Sequence, residues 1–155
     1  MRRIRLIVSY DGTNYCGWQI QENAVTVEGT LTDALRKWLK EDIEIIGASR
    51  TDSGVHAYGN IAVFDTNSRI PSEKFAIGLN HYLPDDIRVQ KSDEVESDYH
   101  PRYRNTEKMY EYTILNTKIN LPIYSRYSYH VYHPLDFEVM KEAAALIVGE
   151  HDFSA

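Results

Sequence analysis

Alternating apolar and polar positions predict a half-buried strand at the start of the chain. From residue 3 to residue 10 every second side chain is apolar, so one face can pack on a core while Arg3 and Arg5 lie on the other. Asp11 and Gly12 follow as a turn signal. Similar stretches predict further strands at residues 43–46, 55–66, 87–91, 108–115 and 124–132. Gly59 marks a β-bulge in the strand at residues 55–66.

Apolar residues at helical spacing predict three helices. The first covers residues 27–40, where Leu31, Leu35 and Trp38 share one face. The second has Pro71 in its first turn and ends before Pro84, and the third begins near residue 135 and ends at residue 149. The acidic residues 92–98 are expected to form a connector.

The order of these elements predicts an α+β fold, with helices on one face of a mostly antiparallel sheet. The first four strands and two helices have the ferredoxin-like, or RRM-like, order. We expect a first domain over residues 1–98 and the beginning of a second α+β domain over residues 99–155. Residues 151–155 have neither cap nor tail character, so the second domain is expected to be incomplete.

Composition excludes several classes of protein. The 155 residues are 43% hydrophobic and 26% charged, as in globular proteins, and no apolar run approaches the roughly 18 residues of a membrane span. The amino terminus lacks the apolar core of a secretion signal, so we expect a cytoplasmic protein. Cys16 is the single cysteine, which excludes an internal disulfide and a zinc site built from cysteines.

Positive charge and tyrosine are concentrated in one part of the chain. The formal net charge is −6, which opposes binding of nucleic acid through bulk positive charge. Residues 99–133, however, contain five Lys or Arg against two Asp or Glu, and eight of the twelve tyrosines. Interleaved cations and aromatics are typical of a surface that binds phosphates and bases. A tyrosine-rich pair of strands is the alternative.

Residues 47–57 place one carboxylate among small polar residues between two predicted strands. Arg50 and Asp52 are two positions apart and can pair, and a neighbouring guanidinium favours the ionised form of an aspartate. A partly buried, ionised Asp52 can act as a nucleophile or a general base. The alternative is a structural turn in which Asp52-Ser53-Gly54 makes hydrogen bonds of the Asx type.

Asp52-Ser53-Gly54 also matches the triplet of aspartic proteases, which pair two such carboxylates across a dimer. In that family the fold is almost entirely β, and apolar residues precede the triplet. Here Arg50 and Thr51 precede it, and the pattern predicts strong helices. The three-residue match is therefore the weaker interpretation.

A longer resemblance extends over nearly the whole chain. Residues 50–57 resemble the signature of TruA-type tRNA pseudouridine synthases, Gly-Arg-Thr-Asp-Ala/Ser-Gly-Val-His-Ala, and Ser49 replaces the usual first glycine. Further segments resemble that family in the same order, at residues 10–19, 27–31, 79–89, 110–112 and 149–154. The last of these normally lies in the middle of the protein.

This resemblance implies a homodimeric enzyme that isomerises uridine to pseudouridine in the anticodon arm of tRNA, at nucleotides 38 to 40. It assigns the nucleophile to Asp52, base flipping to Arg50 and stacking on the target base to Tyr110. The reaction is redox-neutral, so the resemblance implies neither a metal nor an organic cofactor. A non-catalytic RNA-binding fragment is the alternative from another functional class.

Further candidate RNA contacts are His56, Asn80, Arg102, Arg104 and Lys108. For the arginines and the lysine, which precede the tyrosine strand, the alternative is a solvated face. For the histidine it is packing beside the loop, and for the asparagine it is a helix cap. His130 and His133 are three residues apart, but the sequence offers no third ligand, so no metal site is predicted.

Overall fold

The computed structural model of the protein describes residues 1–103 and 107–154. The chain divides into two compact units, Met1–Glu107 and Lys108–Ala155. Arg104, one of the candidate RNA contacts, lies outside the described residues. Within the described ranges, no helix has both the length and the apolar character needed to cross a membrane.

Four strands and two helices build the first unit in the predicted ferredoxin-like order. Their bounds are β1 Arg2–Tyr10, α1 Val27–Leu39, β2 Ile45–Gly47, β3 Ala57–Thr66, α2 Lys74–Leu79 and β4 Ile87–Val95, and a short 3-10 helix, Gly12–Asn14, follows β1. The sheet order is β2-β3-β1-β4, and each neighbouring pair is antiparallel. The predicted α+β fold class is confirmed.

Alternation along β1 determines which face of the sheet packs on the helices. Ile4, Leu6 and Val8 are fully buried and belong to one hydrophobic cluster with Leu35 of α1 and Phe75 of α2. Burying an apolar side chain of this size stabilises the fold by about 1.5–3 kcal/mol. The helices therefore cover one face of the sheet, as the sequence predicts.

The opposite face of the sheet is linked by ion pairs. Arg3 makes a bidentate pair with Asp65 of β3, and Arg5 makes one with Asp93 of β4, at N–O distances of 2.6 to 3.0 Å. Tyr99 lies against this face, with its ring centre 5.6 Å from the Arg5 guanidinium carbon.

The prediction of an acidic connector at residues 92–98 is wrong in its first half, because β4 continues to Val95. Asp93 and Glu94 are compatible with a strand because arginines of β1 neutralise them. The second helix is shorter than predicted: Pro71 lies in a turn before α2, closed by the Lys74 N–H and the Pro71 carbonyl.

Two bulges interrupt the sheet near residues 47–57, the segment that contains Asp52. β3 has one extra residue between Ala57 and Asn60 relative to β1, which confirms the bulge predicted at Gly59. β4 has one extra residue between Val89 and Lys91. Bulges bend a strand and change where its side chains point, and they are frequent beside active sites.

The second unit contains two short strands and a helix, β5 Ile114–Asn116, β6 Tyr129–Val131 and α3 Phe137–Ala145, and β5 and β6 pair in parallel. The strands predicted at residues 108–115 and 124–132 are present only in part, because β5 begins at Ile114 and β6 covers only Tyr129–Val131. Residues 108–112 pair with no strand in the described part of the chain, and residues 122–127 form turns. Tyrosine favours strands, but a strand forms only where a second strand pairs with it, and the local sequence pattern does not specify that second strand.

Candidate active site

The loop between β2 and β3 presents Asp52 at the tip of a turn. The Val55 N–H donates to the Asp52 carbonyl at 3.2 Å, and Gly54 adopts a positive φ of 77°. Backbone atoms and a glycine therefore close this turn. The Asp52 carboxylate is exposed and accepts no hydrogen bond from the residues of the two described ranges, so the Asx-type alternative is wrong.

Hydrogen bonds from the β1–α1 connection fix the loop on both sides of Asp52. The Trp18 N–H donates to the Thr51 carbonyl at 3.0 Å, and the Gly54 N–H donates to the Tyr15 carbonyl at 3.2 Å. The residues that bracket the carboxylate are thus bonded to a second segment of the fold. Such support fixes the backbone on both sides of Asp52 before a substrate arrives.

Two buried aromatic side chains lie beneath the loop. The hydroxyl groups of Tyr10 and Thr51 are 2.8 Å apart, and the rings of Tyr10 and Trp18 pack with their centres 5.9 Å apart. The Trp18 indole lies so close to Gly47, the last residue of β2, that a Cβ there would collide with it. Small residues around the loop are therefore needed for packing.

The β1–α1 connection and the Asp52 loop approach each other so closely that the connection must have glycine at the points of contact. Gly17 has a φ of +87°, and a Cβ there would lie 2.6 Å from the Thr51 carbonyl oxygen. A Cβ at Gly12 would collide with the Val55 carbonyl. Gly12 and Gly17 are thus needed for residues 10–19 to pack against the loop that contains Asp52.

Tyr15 connects the loop to the segment before β4. Its buried hydroxyl donates to the Asp86 carboxylate at 2.6 Å, while the Asp11 N–H donates to the Asp86 carbonyl at 2.9 Å. Burial and the neighbouring Asp86 raise the pKa of Tyr15 well above its usual range, so the phenol remains a hydrogen-bond donor. Sequence reasoning gave Tyr15 and Asp86 no role.

A cleft of about 380 Å³ borders the turn, and mostly polar residues line it. The lining residues are Cys16, Gln19, Gln21, Arg50, Thr51, Asp52 and Ser53. The structure therefore brings Arg50 and Asp52 to one cleft, as expected. It also adds Cys16, Gln19 and Gln21, which sequence reasoning missed although two of them belong to the segment 10–19 that carries part of the resemblance.

Arg50 and Asp52 do not pair. Although both border the cleft, no ion pair or hydrogen bond joins them where the chain is described, so the pair that their spacing allows does not form in this structure. The hydrogen bonds that hold Thr51 and Gly54 fix the backbone of the loop between these positions. Arg50 remains exposed.

His56 and Asn80 make structural contacts. The Gly12 N–H donates to Nδ1 of His56 at 3.1 Å, and a carboxylate oxygen of Asp11 lies 3.1 Å from the same nitrogen. The Asn80 carboxamide bonds both backbone groups of Val89, at 2.8 and 2.9 Å, and Asn80 is the C-cap of α2. In the structure, His56 therefore packs beside the loop and Asn80 caps a helix, the two roles given above as alternatives to RNA contact.

The other candidate RNA contacts lie in different units. Arg102 belongs to the first unit, where its Nε–H donates to the Gly47 carbonyl at 2.9 Å. Lys108 and Tyr110 are exposed residues of the second unit, and Tyr110 is 69% exposed.

The described ranges contain no group of three or more His, Cys, Asp or Glu side chains arranged to hold a metal ion. Nε2 of His130 lies 2.8 Å from the Thr117 carbonyl oxygen. The ring of His133 packs on Tyr132 with the ring centres 3.8 Å apart.

The chain is similar to known tRNA pseudouridine synthases. The family model described as tRNA pseudouridine synthase matches residues 6–104. The tRNA pseudouridine synthase A proteins of Thermoanaerobacter sp. (strain X514) and Acetivibrio thermocellus are each 50% identical over all 155 residues of the chain. The tRNA pseudouridine synthase A 2 of Clostridium perfringens is 48% identical over the same residues.

The chain spans 64% of the length of each of these relatives. The match includes the loop of Asp52 and the segment that supports it. An aspartic-protease interpretation of the Asp52-Ser53-Gly54 triplet is wrong on two grounds: two helices cover the sheet, and the matching family is a different one.

Proposed function

The chain belongs to the tRNA pseudouridine synthase family, and on that premise we propose that the protein isomerises uridine to pseudouridine in tRNA with Asp52 as the nucleophile. One observation carries the proposal: the exposed Asp52 carboxylate, unbonded within the described ranges, lies in a turn with a fixed backbone, beside a cleft lined mostly by polar residues. A nucleotide flipped out of a stem-loop is a substrate that such an accessible carboxylate can reach.

The net chemistry exchanges one bond to the ribose for another. The N1–C1′ bond of uridine breaks and a C5–C1′ bond forms, while C5 loses a proton and N1 gains one. Atoms and electrons balance without an oxidant or a reductant. Asp52 supplies the nucleophile for detaching the base, and its fixed loop keeps the carboxylate aligned while the base leaves and returns.

Cationic and aromatic residues are assigned to the rest of the nucleotide and to the tRNA backbone. Arg50, which borders the cleft without pairing with Asp52, has its guanidinium available for a phosphate of the flipped nucleotide. Tyr110 stacks on the target base, and Lys108 contacts phosphates. Arg102, through its terminal nitrogens, is assigned to phosphates as well, as is Arg104.

The anticodon arm is the proposed target, at nucleotides 38 to 40, and the proposed assembly is a homodimer in the cytoplasm. His56 and Asn80 are assigned to holding the loop and β4 rather than to RNA. The competing function is binding of tRNA without catalysis, and one assay distinguishes the two functions.

The test is to incubate the full-length protein with an unmodified tRNA transcript and to map pseudouridine by carbodiimide labelling and reverse transcription. We expect new pseudouridine within nucleotides 38 to 40. Pseudouridine elsewhere in the tRNA would overturn the anticodon-arm assignment and leave the enzyme assignment intact. Tight binding without product would replace the enzyme by a non-catalytic RNA-binding protein.

A further inference from the structure

The backbone of Gln19 is held between two anchored neighbours. The N–H of Trp18 donates to Thr51 in the Asp52 loop, and the Trp18 carbonyl accepts the N–H of Glu28 at 3.0 Å. On the other side, the N–H of Ile20 donates to the Glu28 carboxylate at 3.0 Å. Gln19 thus starts from a fixed point beside the proposed nucleophile.

The Gln19 side chain has no partner of its own. It is exposed, it lines the cleft together with Asp52, and it makes no hydrogen bond within residues 1–103 and 107–154. Gln21 lines the same cleft but differs, because its Nε2 donates to the Cys16 carbonyl at 2.8 Å. The cleft therefore holds one carboxamide that is engaged and one that is available.

We propose that the Gln19 carboxamide reads the imide edge of the target uracil, accepting a hydrogen bond from N3–H and donating one to the adjacent carbonyl. This assignment rests on the proposed function. A carboxamide presents a donor and an acceptor side by side, and the N3–H and C4=O groups of uracil present the complementary pair.

The symmetry of uracil makes this contact useful during the reaction. To bring C5 to the place of N1, the detached base turns over about the line through N3 and C6. That rotation leaves N3–H where it was and exchanges the C2 and C4 carbonyls. Gln19 therefore makes the same two hydrogen bonds before and after the rotation, and it holds the base at the one edge that the isomerisation does not change.

Cytosine does not have this symmetry. Its N3 carries no hydrogen, and an amino group and a carbonyl lie on either side, so the rotation would replace a donor by an acceptor opposite Gln19. Once a bound base shields the Gln19 carboxamide from water, a polar group left without its partner is costly. Gln19 is thus a specificity-determining residue for a base with an imide edge.

The experiment replaces one oxygen of the substrate. A tRNA is assembled by ligation with uridine or 4-thiouridine at the position that the full-length wild-type protein modifies. Product nucleosides are quantified by chromatography under single-turnover conditions, with protein in excess. Sulfur is the weaker acceptor, so we expect the wild-type rate to fall about fivefold with 4-thiouridine, the effect of one net hydrogen bond.

Gln19→Ala should slow the reaction of uridine about five- to tenfold and should show no further loss with 4-thiouridine. Gln21→Ala is the matched control, in which the sulfur penalty persists. A wild-type protein without a sulfur penalty, or a Gln19→Ala protein that keeps it, would overturn the Gln19 assignment alone. A wild-type protein that forms no pseudouridine in the unmodified transcript would overturn the proposed function, and the Gln19 assignment with it.

Discussion

The Asp52 carboxylate and the Arg50 guanidinium border one cleft as two separate charged groups. A direct pair would have neutralised both, and a substrate would have had to break it. Their separation leaves the carboxylate accessible to the base and the guanidinium accessible to a phosphate. At the scale of single residues, the site is therefore arranged for a ligand that carries both an acidic and an electrophilic part.

Arg102 has a role in the fold that is separable from its proposed role in RNA binding. Its Nε–H donates to the carbonyl of Gly47, where the Asp52 loop begins. Arg102→Ala should lower the free energy of unfolding by about 1 kcal/mol and reduce the salt dependence of tRNA binding. Urea unfolding and tRNA titrations at several salt concentrations measure the two effects.

Arg102→Lys is the control, because lysine keeps the charge but lacks the Nε donor. The salt dependence of binding should return in this variant while the stability stays reduced. If Arg102→Ala changed neither quantity, both the hydrogen bond and the phosphate contact assigned to Arg102 would be wrong.

Single residues show where sequence reasoning ends. Asp52 could be identified because the whole signature of residues 50–57 surrounds it. The pair between Arg50 and Asp52 that the sequence allows does not form, because spacing along the chain does not determine side-chain direction in a loop. Gln19 was missed because an exposed glutamine carries no local signal of its own.

The contact between the β1–α1 connection and the Asp52 loop gives a prediction at the scale of elements. Gly17→Ala imposes a side chain on a positive φ and also drives its Cβ into the Thr51 carbonyl. We expect a loss of about 2–4 kcal/mol in the free energy of unfolding and a slower reaction, because the loop must shift.

Gly54→Ala is the matched control. Gly54 also has a positive φ, 77°, but a Cβ there would meet nothing within 4 Å. The expected loss is about 1 kcal/mol, which is the conformational cost alone. Urea unfolding of both variants distinguishes the two contributions, and equal losses would show that the close approach at Gly17 has no energetic weight.

The pair between β1 and β3 makes stability depend on pH. A hydrogen bond from Arg3 holds the pKa of Asp65 below its ordinary value of 3.8. The ionised carboxylate therefore stabilises the fold above about pH 4, and this contribution disappears as the pH falls through the lowered pKa. Asp65→Asn should cost a few tenths to about 1 kcal/mol at pH 7 and nothing at strongly acid pH.

Asp42→Asn is the comparison for that measurement. Asp42 pairs with Arg36, but its side chain is 91% exposed, so we expect no measurable change in stability at neutral pH. The free energy of unfolding of both variants is measured in urea at several values between about pH 2 and pH 7, the range in which Asp65 becomes protonated. A difference between the wild type and Asp65→Asn that grew in acid would contradict the ion-pair account.

The first unit was largely predictable at this scale, and the second was not. The strands of the ferredoxin-like sheet alternate clearly, because one of their faces packs on a core. The extension of β4 to Val95 was hidden because its acidic residues are paired with arginines some 90 positions away in the sequence. In the second unit no described residue is buried, so alternation there reflects no core.

The chain as a whole is acidic, with a net charge of −6, although it is proposed to bind a polyanion. Contact with tRNA must then come from local positive surface, and residues 99–133 supply the excess of cations. All six tyrosines of the second unit are exposed, which makes their rings accessible to bases: Tyr110, Tyr112, Tyr124, Tyr127, Tyr129 and Tyr132.

The proposed function depends most directly on Asp52 as the nucleophile, and Asp52→Asn tests that assignment. Asparagine keeps the size of the side chain and removes its charge, and the exposed carboxylate has no hydrogen bond within the described ranges to lose. Pseudouridine formation by the full-length variant is measured under single-turnover conditions, with tRNA affinity measured in parallel. We expect no product above background and an affinity within about twofold of the wild type. Turnover close to that of the wild type would contradict the assignment.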